Sequence, residues 1–186
     1  MAGSSDRMSR RNALAARGLE RVVIIDRGNV EFALPRDWTA EPQTEGYMKC
    51  KDATDAVLLE VSYLRLPLLD AREFPVAERL RLVMAGDSNA AQHTQIVRFR
   101  RGDAEFAWAD YAYECDDAQR GERRPARGRW MIASNDRFQA LLTYYYWADD
   151  TAWAVRAWEA IVETLRFGDG IPLETPKDHW SLRDES

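Results

Sequence analysis

Short apolar runs separated by turn-forming clusters set the rhythm of this chain. Val22 to Ile25 and Val30 to Leu34 are β-branched or apolar, and Asp26-Arg27-Gly28-Asn29 between them is hairpin-turn chemistry. Pro35 ends the second run because proline donates no ladder hydrogen bond, and Trp38 is placed to fold back over the edge of the core. A further strand is expected over Tyr47 to Lys51. From Val57 to Arg65, Val57, Leu59, Val61 and Tyr63 alternate with Glu60 and Ser62, the two-residue period of a half-buried strand. The period then changes. Val76, Leu80, Val83 and Met84 recur at helical spacing behind Pro75, which a first helical turn tolerates, and Gly86 closes the helix.

Four more strands follow, at His93 to Arg101, Ala104 to Cys115, Arg127 to Ser134 and Arg137 to Trp147. Gly102-Asp103 and Asn135-Asp136 are too short for a crossover, so their flanking strands must be antiparallel. The middle connection, Asp116 to about Ala126, reads as a longer loop. A last helix, capped by Asp149 or Asp150, carries Ala154, Trp158, Ile161, Val162 and Leu165 on one face and ends near Gly168. The pattern predicts an α+β fold, an antiparallel β-sheet with helices packed on it. Residues 1–20 are expected to be a flexible arm or short helix, 21–168 a single domain, and 169–186 a C-terminal tail held at most by an aromatic such as Trp180.

Two segments resemble a known superfamily. Val30 to Trp38, reading VEFALPRDW, is similar to the opening strand and Pro-x-x-Trp corner of PsbP-like and DcrB-like domains, and Trp158 to Phe167, WEAIVETLRF, is similar to their terminal helix. The resemblance implies an α/β/α sandwich. It also implies a binding protein rather than an enzyme, since members include a photosystem assembly subunit, a nuclear-import factor acting on a small GTPase and secretion-associated chaperones. None of their site residues has a counterpart here.

Composition narrows the chemistry. Over 186 residues, 46% apolar content with seven Trp and seven Tyr is enough to build one core, and a net charge of −5 is not that of a surface made to attract nucleic acid. Ser9-Arg10-Arg11-Asn12 touches the pattern of a twin-arginine export signal, but only Ala13 to Ala16 is apolar before Arg17, short of the ~7 to 15 residues such a signal needs. A cytoplasmic protein with no membrane partner is expected. Cys50 and Cys115 belong to no CxxC pair, and His93 and His179 have no second ligand at short spacing, so neither a metal nor a disulfide is predicted. Without a GxSxG elbow, a Walker loop or a dinucleotide glycine pattern, no catalytic residue and no cofactor is assigned.

Two features remain as binding candidates. Arg120, Arg123, Arg124, Arg127 and Arg129 crowd the predicted loop, and guanidinium forks suit phosphate or carboxylate. Against this, arginine outnumbers lysine 23 to three along the whole chain, and Glu122, Asp116 and Asp117 stand by as counterions. Tyr144-Tyr145-Tyr146-Trp147 alternates across two faces of its strand, so one half belongs under a helix and the other, Tyr145 and Trp147, can line a groove. The expected function is a non-enzymatic protein-binding adaptor or chaperone-like module. The alternatives are a carrier of a hydrophobic small molecule in a helix-grip cavity, and anion or RNA binding through Arg120 to Arg129. A homodimer is compatible with any of them.

Overall fold

Strand pairing in a computed structural model, which describes residues 19–44, 46–66, 74–90 and 92–168, sorts the chain into two antiparallel sheets. The main sheet has seven strands in the order β3-β4-β5-β9-β8-β7-β6: β3 (Thr39–Thr44), β4 (Tyr47–Lys51), β5 (Val57–Arg65), β6 (Val97–Arg101), β7 (Ala104–Asp117), β8 (Glu122–Ser134) and β9 (Phe138–Trp147). β1 (Leu19–Ile25), β2 (Val30–Pro35) and the two-residue β10 (Arg166–Phe167) form a small sheet of their own, in the order β1-β2-β10. The first two strands thus pair as a hairpin but stand outside the main sheet. The turn closed by Trp38 N donating to Pro35 O at 3.2 Å comes between them and β3. β1 begins at Leu19, so the ladder takes in the last two residues expected for the arm.

β3 was not expected. Its sequence, TAEPQT, has no apolar alternation and holds a proline, which a sheet tolerates on an edge strand such as this one. The β7–β8 ladder also runs further than expected, to Asp117 opposite Glu122, leaving only Ala118 to Gly121 as the turn. The Asp117 carboxylate accepts from Gln119 N at 2.9 Å and Arg120 N at 3.1 Å, and Gly121 takes a φ of +67°. The supposed arginine loop is therefore mostly strand.

Helix α1 (Val76–Ala85) packs on one face of the main sheet. It presents Val76, Ala77, Leu80 and Met84 to a floor of Ala107, Ala109, Tyr111, Trp130 and Ile132, where two alanines admit the helix backbone closely. Helix α2 (Thr151–Thr164) and the small sheet share the other face, over Val57, Leu59, Val61, Met131, Leu142 and Tyr144. Tyr144 Oη donates to Ala154 O at 2.9 Å, and Thr164 Oγ1 accepts from Ala33 N at 2.9 Å, tying α2 to β9 and to β2. Trp38 is fully buried and lies parallel to the Tyr144 ring at 6.3 Å, as its corner position suggested. The Asp150 side chain does not cap α2, and Asp149 is drawn away to Arg124 at 3.1 Å.

Candidate functional site

The strand register divides Arg123, Arg124, Arg127 and Arg129 between two faces and leaves Arg120 in the turn, so no single anion site forms. Arg124 turns toward the α1 face, where it is buried with Asp117 at 2.7 Å and Asp149 at 3.1 Å, its guanidinium 4.6 Å over the Trp147 ring. That bond holds the Asp117 carboxyl below its ordinary value against burial. Arg129 turns the opposite way and sits directly across from Asp110, which takes both its Nε at 2.5 Å and its Nη2 at 2.8 Å. Exposed Arg120 and Arg123 lie 3.8 Å from Asp117 and 3.6 Å from Asp116. Arg127 is exposed on the Arg129 face of β8, opposite Ala112. Four of the five guanidiniums thus face carboxylates of the same hairpin, which is what an internal cross-strand ladder requires and what an open phosphate site does not.

The aromatic run divides as alternation requires. Tyr144 and Tyr146 are buried on the α2 side, while Tyr145 and Trp147 remain half-buried on the α1 side. Next to Tyr145, Tyr111 accepts a hydrogen bond from Trp130 Nε1 at 3.1 Å, and burial pushes the Tyr111 and Tyr113 hydroxyls well above their ordinary value.

A second aromatic cluster, less evident in the sequence, lines an open cleft of about 360 Å³ between α2 and strands β6 to β8. Val155, Trp158, Glu159 and Val162 recur at three- and four-residue spacing and form the helical wall; Trp108, Arg129 and Arg101 form the sheet side. The Arg129 guanidinium lies 4.3 Å over the Trp108 ring and 5.4 Å from that of Trp158, so the chain fills its own aromatic cage with its own cation. Arg101 reaches under the end of α2 and donates to Leu165 O and, at 2.8 Å, to Val162 O, which also accepts from Leu165 N at 3.2 Å. The cleft therefore offers apolar surface with paired cations on its sheet side, and two glutamates, Glu159 and Glu163, among its lining.

Among the described residues no three His, Cys, Asp or Glu side chains converge as metal ligands, and no helix is long and apolar enough to cross a membrane. Cys50 is fully buried, and burial pushes its thiol up to about 12, far from a reactive thiolate. His93 makes an isolated bridge to Tyr111 and its Nδ1 lies 2.6 Å from Thr94 O; His179 and Trp180 lie outside the described residues.

Comparison with solved structures places the architecture. The solution structure of cyanobacterial PsbP (CyanoP) from Synechocystis sp. PCC 6803 superposes with a TM-score of 0.59 at 9% identity, covering 80% of this chain and 92% of that one. LpqN, involved in cell envelope biogenesis of Mycobacterium tuberculosis, gives 0.51 at 15% identity over 73% of this chain and 81% of its own. A protein from Bacteroides thetaiotaomicron gives 0.54 at 11%, over 80% of this chain and 48% of its own. These likenesses show a PsbP-like fold. In sequence, the uncharacterized protein alr1449 of Nostoc sp. is 30% identical over 151 residues, 80% of this chain and 77% of that protein. The family model Alr1449 matches residues 21–171, which span the strands and helices described above almost completely, and the chain belongs to the Alr1449 family.

Proposed function

We propose that the protein is a non-catalytic binding module that holds an apolar segment of a partner protein in the cleft between α2 and strands β6 to β8. The observation that carries this reading is the pairing of Arg129 with Asp110 beneath Trp108 and Trp158. With its charge satisfied internally, the cleft has little affinity left for a free anion, and its half-exposed Trp108, Val155 and Val162 favour apolar side chains. The opening to solvent suits a chain segment better than an enclosed small molecule. Two unpaired cysteines on separate strands, Cys50 on β4 and Cys115 on β7, accord with a reducing, cytoplasmic setting.

The test places a charge on the helical wall, where Val155 and Val162 are only partly buried. Partners are captured by crosslinking from the source cells with wild-type protein and with Val155→Glu or Val162→Glu. A partner held by the wild type and lost by both folded variants supports the reading. Identical capture by all three overturns it, and so does a small molecule retained in native mass spectrometry and released by the same substitutions.

A further inference from the structure

The main sheet ends in two unlike edges. β3 carries Pro42 and Glu41 and is exposed along most of its length, so proline itself interrupts any added ladder. β6, reading VRFRR, has neither proline nor glycine and pairs only with β7 among the described residues. Its other edge offers a row of backbone donors and acceptors of the kind that captures extended chains. Charge determines which chain. A second copy adding antiparallel about Phe99 would set Arg98 opposite Arg100 twice over, a like-charge arrangement that destabilises a ladder. Glu105 lies 3.5 Å from Arg100, and Arg98 and Arg100 are both exposed. Between them and the start of α1 at Pro75 and Val76 lies an open cleft of about 260 Å³, room enough for side chains of an added strand.

We propose that β6 is a docking edge for an extended, acidic segment of a protein partner, which continues the main sheet by β-addition. Successive side chains of such a segment point to opposite faces. Those on the α1 side meet Arg98 and Arg100, and those on the α2 side lie next to Val97 and Phe99, which pair with Trp108 and Phe106. The matching sequence alternates acidic with apolar residues. This inference rests on the reading of the protein as a protein-binding module and adds the chemistry of what it binds.

The probe is a short synthetic peptide alternating glutamate with valine, compared with one alternating lysine with valine, on the full chain. The wild type is expected to bind the glutamate peptide and to slow hydrogen exchange at β6 amides. Arg98→Glu/Arg100→Glu should weaken that binding on the order of tenfold and reverse the preference toward lysine. Equal affinity for both peptides, unchanged affinity in the double variant, or protection elsewhere than at β6 overturns the proposal. Failure here is separable from failure of the cleft: if Val155→Glu abolishes capture of the cellular partner while Arg98→Glu/Arg100→Glu does not, the cleft reading stands and the edge proposal falls. Association of the wild type with itself through β6 would also overturn it.

Discussion

Tyr111 lies flat against the backbone of Gly128, its partner directly across the β7–β8 ladder: a Cβ built on Gly128 would come within 2.2 Å of Tyr111 Cζ. The absence of a side chain at one position thus fixes the ring at the other, and that ring accepts the Trp130 indole hydrogen bond beneath α1. Gly128→Ala should displace Tyr111 and cost about 1 to 3 kcal/mol, as overpacking does in a filled core. Thermal denaturation measures the loss; a melting temperature equal to wild type would show that the ring finds another position without cost.

Arg129 joins a bidentate ion pair to two indole contacts, and each part has different requirements. Arg129→Lys keeps the charge but not the fork or the planar stack. It should fall between wild type and Arg129→Ala, which leaves Asp110 without its partner and should lose about 2 kcal/mol, discounted because that carboxylate is one-quarter exposed. Urea unfolding of the three proteins, with tryptophan emission from Trp108 and Trp158 as the probe, checks the order. A lysine variant as unstable as the alanine variant would mean that charge contributes nothing and the fork everything.

Thr164 gives a narrower test of how α2 is held. Its hydroxyl oxygen accepts from Ala33 N while the hydroxyl also bonds carbonyls of its own helix, Ala160 O at 3.1 Å and Ile161 O at 2.9 Å. Thr164→Val preserves shape and leaves a buried backbone NH unsatisfied, an expected loss of about 1 to 3 kcal/mol, whereas Thr164→Ser should recover most of it. Denaturant midpoints of the two variants provide the comparison.

Acid should weaken the fold through two carboxylates. At Asp26, burial acts upward, but bonds from Asn29 and Arg65 outweigh it; at Asp117 the Arg124 bond leads, with backbone NH groups of Arg120 and Gln119 adding to it. Both folded-state values lie below the ordinary 3.8, so their stabilisation is present in full above that pH. It is lost as pH falls through the lower folded values. Asp26→Asn and Asp117→Asn should each lower stability at neutral pH and flatten its decline below 3.8. A decline as steep in the double variant as in wild type would assign acid sensitivity to other groups.

Where periodicity is strong, the elements stand where the residues put them. β4 and β5 match their expected limits, and α1 ends at the glycine that closes it. β3 and β10 escaped because one is polar and proline-bearing and the other is two residues long, so neither carries a period to detect. The largest difference lies over Asp116 to Ala126, expected as a longer loop and found mostly as strand. A signal was nevertheless present: Asp110, Glu114 and Asp116 precede a Gln-Arg-Gly turn, and Arg123, Arg127 and Arg129 follow it. Folding the chain about Ala118 to Gly121 sets Asp110 against Arg129 and Asp116 against Arg123, as the ladder does. The α2 cleft was beyond such counting, because it joins Trp158 to Trp108 and Arg129 across tertiary space.

The strand order carries a consequence for the making of the molecule. β5 has β9 as its neighbour in the centre of the sheet, so Val57 to Arg65 waits for Phe138 to Trp147 before its ladder is complete. On the ribosome the earlier meander β3 to β5 and the later hairpins β6 to β8 emerge as two half-sheets, each with one raw inner edge. Such non-local closure is slow and leaves strand edges open to strangers. The last strand to be synthesised in the main sheet is the one that joins the halves, and a chain cut short before Phe138 keeps two adhesive borders instead of one continuous sheet.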